Sequence, residues 1–329
     1  MNKNILVLGS NSPSGAAFCR SAGLQGNKVI ATSRSVEAAD LFLPYKWEKE
    51  LDVEFHQLDI NKDIAKFLDL AKKHRITHVV NFASQSMVGQ SWQHPEHWMQ
   101  TNVVGLVSLL EAMRHLSGLE NYIHFSTPEV YGSTESWIKE HTNYAPSTPY
   151  ASSRAAGDMN VKLWADTYEL PCIITRAANI YGAGQQLYRI IPKTFLSCML
   201  GRKLPLHGGG HSERAFIHIN DVANALLLIL EQDKPGETYH ISPHEKISIR
   251  DLVASICTLC ETDFEEVVEI SEDRVGKDQA YLLESSKLMN TLQWEPKVTL
   301  EQGLMEVHDW CSRNVDFLSQ QSVNYVHKR

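Results

Sequence analysis

Short apolar runs alternate with amphipathic stretches along the first half of the chain. The runs fall at Asn4–Leu8, Lys28–Thr32, Glu54–Leu58, His78–Phe82, Tyr122–Ser126 and Cys172–Arg176. Between them, apolar positions recur at helical spacing over Gly15–Leu24, Ile64–Lys73, Asn102–Leu116 and Tyr150–Tyr168. Short strands separated by helices predict a parallel sheet covered on both faces. Right-handed crossovers then give an α/β fold of the Rossmann type, with a doubly wound parallel sheet.

After residue 176 the rhythm changes. Glycine punctuation increases, at Tyr181-Gly182-Ala183-Gly184 and Leu206-His207-Gly208-Gly209-Gly210. Helical patterns continue at Ile190–Leu200, Ile219–Glu231, Ser248–Cys260 and Leu300–Arg313. The expected organisation is a first domain over residues 1–176. A smaller C-terminal α/β lobe follows over 177–329, with segments returning to the first domain. The polar tail after Leu318 is expected to be poorly ordered or to serve an interface.

Composition narrows the class. The chain has 329 residues, 43% hydrophobic and 21% charged, with a formal charge of −8. That balance excludes a nucleic-acid-binding surface built on a basic stripe, while leaving room for local arginines that hold an anionic substrate. No apolar run approaches the roughly 18 residues of a membrane span. The apolar run Ile5–Leu8 is too short for a signal peptide. A cytoplasmic location is expected. The six cysteines are too sparse for a disulfide scaffold, and Cys257-Thr-Leu-Cys260 lacks a second pair at zinc spacing. It reads as ordinary core or surface cysteines. None of the fifteen histidines sits in an HxH or HExxH arrangement, so no metal is expected.

Candidate chemistry begins at Gly9-Ser10-Asn11-Ser12-Pro13-Ser14-Gly15, between the first strand and the first helix. A dinucleotide site needs a tight turn there, so that backbone N–H groups and the helix N-terminus meet a pyrophosphate. Gly9 suits the turn and Gly15 suits close helix–strand packing. At the end of the second strand, Thr32-Ser33-Arg34-Ser35 carries no acid to meet a free ribose 2′-hydroxyl. Arg34 instead favours a 2′-phosphate, hence NADP over NAD, with NAD still open. Asp59 has two readings, contact with the adenine amino group or an N-cap before Lys62–Phe67.

Four further segments complete a pattern. They are Asn81-Phe82-Ala83-Ser84-Gln85-Ser86, Ser126-Thr127-Pro128-Glu129-Val130-Tyr131-Gly132, Pro149-Tyr150-Ala151-Ser152-Ser153-Arg154, and Arg274-Val275-Gly276-Lys277-Asp278. With the glycine loop, they resemble the extended short-chain dehydrogenase/reductases. Within these they are most similar to nucleotide-sugar 4,6-dehydratases, such as those acting on dTDP-glucose and GDP-mannose. The resemblance runs over roughly residues 3 to 312.

The resemblance implies the following roles. Gly9, Asn11, Ser12, Gly15, Arg34, Asp59, Ile60 and Ala83 hold the dinucleotide, together with Tyr150 and Arg154. Tyr150 takes the proton of the sugar 4-hydroxyl while the C4 hydride leaves for the nicotinamide, with Thr127 in support. A phenol with a pKa of about 10 is a poor base at neutral pH unless a cation lowers it. Family members place a lysine four residues after the tyrosine; this chain has Arg154, which keeps the charge in a longer, forked group. Glu129 matches the carboxylate that removes the C5 proton and lets the 6-hydroxyl leave as water. Pro128 stands where many dTDP-glucose enzymes have an aspartic acid, and GDP-mannose-type enzymes also lack that acid.

At the substrate end, the resemblance assigns the nucleotide-diphosphate sugar to Gln85, Ser86, Asn179, Arg189 and Ile191, with Arg214 and Arg274 clamping the diphosphate. Two guanidinium groups suit a doubly charged pyrophosphate. Helices Asn102–Leu116 and Tyr150–Tyr168 match the pair through which such enzymes form homodimers. The base stays open. So do a decarboxylase or 4-epimerase of the same superfamily and a non-catalytic nucleotide-sugar-binding relative.

Overall fold

The computed structural model describes residues 2–232, 235–272 and 280–328. Its centre is a seven-stranded, all-parallel sheet. The strands are β1 (Asn4–Leu8), β2 (Lys28–Ser33), β3 (Val53–Gln57), β4 (His78–Asn81), β5 (Asn121–Ser126), β6 (Cys172–Ala177) and β7 (Thr238–Ile241). Their order is β7-β6-β5-β4-β1-β2-β3, so the chain reverses direction across the sheet beside β1. The six strands expected from the sequence fall within one or two residues of their forecast positions. The seventh, β7, comes from the C-terminal half and pairs with β6.

Helices cover both faces. On one side α1 (Pro13–Leu24) and α6 (Ile219–Leu230) bury Phe18, Ala22, Leu226 and Ile229 against the sheet. On the other, α2 (Ile64–His74), α3 (Leu106–Met113) and α4 (Pro149–Tyr168) bury Phe67, Leu70, Leu109, Leu110 and Val161. Strands enclosed in this way need no polar face, which explains the apolar run Ile5–Leu8 of β1 and the Val79-Val80 centre of β4. A third cluster, built on Phe195, Ile256, Leu304 and Val307, joins α5 (Ile190–Met199), α7 (Ile249–Leu259) and α8 (Leu300–Arg313) in the smaller lobe. No helix among the described residues is long and apolar enough to cross a membrane.

The expected helix Asn102–Leu116 differs. Helical backbone begins at Pro95, passes through a π-turn over Gln100–Gly105 and continues as α3. Asn102 lies in that turn. Its carboxamide accepts from Gln85 N and donates to Gln85 O and Ser153 Oγ, each at 2.9 Å. These bonds tie the turn to the loop after β4, and π-turns often accompany such functional contacts.

A charged network lies inside the sheet–helix junction. Asp158 of α4 and Arg176 of β6 are both fully buried and paired at 2.7 Å. Ser126 Oγ, at the end of β5, donates to the same carboxylate oxygen at 2.8 Å. Arg176 also donates to the hydroxyls of Tyr131 at 2.6 Å and Tyr144 at 2.8 Å. Tyr131 reaches His240 Nε2 of β7 at 2.9 Å. Burial pushes the Asp158 carboxyl up, but Arg176, His124 and Arg154 outweigh it and hold it well below the usual carboxylate range. Burial, then the Arg176 charge, press the His240 imidazole down from 6.5 to about 3.

A group whose folded pKa is depressed contributes stability above its unfolded value and loses it as pH falls. His240 therefore opposes folding increasingly as pH drops below 6.5, and the penalty levels off once it protonates in the fold near 3. At pH 5 the effect is about 2 kcal/mol for this residue. The urea midpoint of the wild-type protein is expected to fall between pH 6.5 and 5, and less steeply in His240→Gln. Equal slopes in the two proteins would count against this role.

Candidate active site

Three segments meet at the carboxyl ends of the strands. There a cleft of about 540 Å³ separates the sheet from the smaller lobe. In doubly wound sheets ligands bind where strand order reverses, and the cleft opens at that place.

The glycine loop forms one wall. Gly9 has φ +83°, and a Cβ there would lie 2.7 Å from Ala83 N. Gly9 N and Ser10 N both donate to Thr32 O, at 2.8 and 2.9 Å. Ser12 caps α1 by accepting from Gly15 N at 3.1 Å, and its hydroxyl donates to Gly9 O at 2.7 Å. A Cβ on Gly15 would sit 2.5 Å from Gly9 O. The loop thus brings the N-terminus of α1 to the cleft, where Ser12, Pro13 and Ser14 form the lining. Asn11 holds the next loop through Val36 O (2.8 Å) and Ala38 N (3.2 Å).

Arg34, Ser35, Gln57, Asp59, Lys62, Asp63, Lys66 and Lys328 surround a second cavity of about 500 Å³ at the ends of β2 and β3. Asp59 does not cap a helix starting at Lys62. Its carboxylate accepts from Asn61 N at 3.0 Å, and α2 begins at Ile64 with Asp63 in the cap position. Ile60 is buried in the core beside Leu58 and Phe67.

The opposite wall carries the acid–base groups. After β5, Pro128–Tyr131 forms a single 3₁₀ turn. Thr127 Oγ1 donates to Glu129 Oε2, and the largely buried Pro128 lines the cleft beside them. Thr148 caps α4 by accepting from Ala151 N at 3.1 Å, and Pro149 fixes the first turn. Tyr150 therefore enters the cleft from the helix N-terminus, together with Thr127 and Glu129. Burial and the Glu129 carboxylate push its phenol pKa up and outweigh Arg154, Thr127 and Arg189, which pull it down.

Arg154 lines the cleft and is anchored from within the fold. It is one turn beyond Tyr150 and only 3% exposed. Its Nη2 donates to Phe125 O and lies 3.2 Å from His124 Nε2. The guanidinium is thus anchored on β5, while its Nε has no hydrogen-bond acceptor among the described residues. His124 sits 3.5 Å from Asp158, which links Arg154 to the buried network. Sequence reading missed His124, Asp158 and Arg176. A signal was present: Tyr150, Arg154 and Asp158 follow each other at helical i, i+4 spacing, and Arg176 interrupts an apolar strand.

In the smaller lobe, Asn179 accepts from Tyr281 OH at 3.0 Å. The Arg214 guanidinium lies 4.3 Å from the centre of the same Tyr281 ring. Arg189 and Ile191 join the cleft wall at the start of α5, and Ser86 faces them from the loop after β4. Arg274 lies outside the described residues.

Two expectations are corrected. Gln85 is buried and absent from the cleft wall; its Nε2 donates to Lys328 O at 2.8 Å. The C-terminal tail is packed rather than poorly ordered. Tyr325 meets Tyr188 edge-on with ring centres 5.3 Å apart, and His327 stacks on Trp98 and His97 at 5.0 Å. Stacking of aromatic rings on the buried Trp98 holds a polar segment that has little apolar surface of its own.

The sequence profile of the GDP-mannose 4,6 dehydratase family matches residues 6–307. A dTDP-glucose 4,6-dehydratase of Xanthomonas campestris pv. campestris is 32% identical over 94% of this chain and 93% of its own length. An Escherichia coli dTDP-glucose 4,6-dehydratase is 33% identical over 75% of each chain. The crystal structure of a dTDP-glucose 4,6-dehydratase from Streptomyces venezuelae, with NAD bound, superposes with a TM-score of 0.88. It is 28% identical and covers 95% of this chain and 98% of that one. The Bacillus anthracis enzyme, solved with NAD, gives a TM-score of 0.85 at 29% identity, over 96% and 98% of the two chains. The glycine loop, the Thr127–Glu129 turn and the Tyr150 helix thus stand in a chain that belongs to the nucleotide-sugar 4,6-dehydratases of the extended short-chain dehydrogenase/reductases.

Proposed function

We propose that the cleft removes water from a nucleotide-diphosphate hexose to give its 4-keto-6-deoxy product, with Tyr150 and Glu129 as the two proton-transfer groups. The observation that carries this is their meeting on one cleft wall, close enough that the Glu129 charge raises the Tyr150 pKa. When bound, a nicotinamide would supply a hydride acceptor for C4 and a positive charge beside Tyr150 in its oxidised form, and a hydride donor for C6 in its reduced form. The chain's residues fit such a group: the glycine loop brings the α1 N-terminus to the cleft, whose wall also carries Arg154 with an Nε that has no acceptor among the described residues.

Tyr150 accepts the O4 proton. Arg154 and Arg189 favour the phenolate that forms, and Thr127 steadies it once its hydroxyl turns from Glu129. Once C4 is a ketone, the C5 proton becomes acidic. Glu129 removes it and passes it to the leaving O6, so one carboxylate serves both steps where Pro128 cannot. Asn179 and Ser86 face the sugar, while Arg189, Ile191, Arg214 and Arg274 hold the nucleotide diphosphate. Arg154 acts from its anchor on β5, as an electrostatic partner of Tyr150.

Arg34, Lys62, Lys66 and Lys328 line one cavity against Asp59 and Asp63, and this excess of cations supports NADP as the preferred cofactor. Val104, Met159 and Leu163 are each more than half exposed on the helix pair that flanks the site, which supports a homodimer across those helices.

Purified enzyme supplied with either cofactor and a panel of UDP-, dTDP-, GDP- and CDP-sugars tests the reading by mass spectrometry. The expected product is one water lighter, without net cofactor consumption, and at least about tenfold faster with NADP than NAD. Glu129→Gln should accumulate reduced cofactor without losing water; full turnover in that variant would sink the assignment of Glu129. Loss of carbon dioxide from UDP-glucuronate would identify a decarboxylase instead. Sedimentation should give a dimer for the wild type and a protomer for Met159→Glu; a wild-type protomer would exclude the interface.

A further inference from the structure

Two residues apart on the edge strand β3, Glu54 and His56 point to the same face of the sheet. His74, the last residue of α2, meets them there. His56 Nε2 lies 2.8 Å from Glu54 Oε1, and His74 Nε2 lies 3.8 Å from the same oxygen. The two imidazole centres are 6.1 Å apart, and one donor atom from each residue falls within 4.8 Å of the other two. No HxH or HExxH spacing announces the group, since two members come from a strand and the third from the far end of the next helix.

His74 is the informative member. It is 6% exposed, and its Nε2 has no hydrogen-bond partner among the described residues. A buried polar atom left in this way has lost its hydration without replacement. Glu54 is exposed and His56 half-buried, so the group opens to solvent on their side.

We propose that Glu54, His56 and His74 bind one divalent transition-metal ion of the zinc class, through one carboxylate oxygen and two imidazole nitrogens. In tetrahedral zinc sites, bonds of about 2.0–2.2 Å set neighbouring ligand atoms about 3.4 Å apart. The separations of 2.8 and 3.8 Å bracket that spacing, so small side-chain shifts admit the ion. Two imidazoles favour zinc, nickel or copper over magnesium and calcium, which take oxygen ligands. Three protein ligands leave a fourth position for water.

Two cations oppose the ion, Lys28 and Lys73. Lys73 Nζ lies 3.7 Å from Glu54 Oε1, but its side chain is 65% exposed and can turn into solvent. Lys28 is exposed as well. A second group of similar composition, His94, Glu96 and His97, follows β4. There His97 Nδ1 already meets His327 Nε2 at 2.8 Å, and the group has no buried ring nitrogen without a partner. The orphaned His74 Nε2 therefore favours the group on β3 and α2. The bound ion fastens the edge strand to the helix that follows it. None of its three ligands lines the active-site cleft, so the site is independent of the dehydratase reading.

The test uses the full-length protein, freed of any affinity tag and stripped by chelator. It is titrated with Zn²⁺ by calorimetry and with Co²⁺ by visible absorption. One equivalent of zinc should bind and resist displacement by excess Mg²⁺, and cobalt should give the visible bands of a four-coordinate site. His56→Ala and Glu54→Gln change half-buried and exposed positions, and each should weaken zinc binding at least about tenfold. His74→Gln should do the same, and the other two variants keep the test decisive if it fails to fold. His94→Ala should bind zinc as the wild type does. No bound equivalent in the wild type, undiminished affinity in His56→Ala, or loss of binding in His94→Ala alone would overturn the proposal.

Discussion

The site rests on the ion pair between Asp158 and Arg176. Both side chains have no exposure, so each has given up its hydration and depends on its protein partners. The pairing is extensive: Ser126 and His124 of β5, Tyr131 and Tyr144 of the following segments, and Arg154 of α4 all converge on it. A buried pair of this kind contributes little net stability, yet losing one partner would strand the other. Its consequence here is positional. It ties the end of β5, which leads into Thr127 and Glu129, to α4, which carries Tyr150. Two acid–base groups from separate segments are thereby held on one wall.

The same network suits an arginine at position 154, where the family resemblance implies a lysine. A guanidinium has five donors, and Arg154 spends two of its contacts on Phe125 O and His124. A lysine ammonium is a compact charge without that fork. Fixed from behind, Arg154 acts on Tyr150 as a held charge, in line with its lowering of the tyrosine pKa. Burial first, and Glu129 after it, pull in the opposite direction and prevail, so the phenol lies above its ordinary value.

Much of this was legible from the chain alone. Six strands and most long helices are readable because burial on both sheet faces leaves an unbroken apolar signature. Gly9 and Gly15 stand out because their places admit no side chain. The motifs that carry the family resemblance locate Thr127, Glu129 and Tyr150. Other features depend on contacts between distant residues. Strand β7 is four residues long and recognisable only by its pairing with β6. The π-turn arises from Asn102 bonding to Gln85 and Ser153. Gln85 faces away from the cleft because the tail supplies Lys328 O, and the tail is fixed by His327 on Trp98. Cys198 meets Cys257 only once α5 packs on α7.

The central claim is that one cleft oxidises C4 and later returns the same hydride to C6, with Tyr150 and Glu129 managing the protons between. The most direct test is turnover of an accepted nucleotide hexose deuterated at C4, with the product examined by NMR. The account predicts deuterium in the C6 methyl group of the product, in ordinary water and with unlabelled cofactor in solution. Loss of the label to solvent or to the free cofactor pool would contradict it.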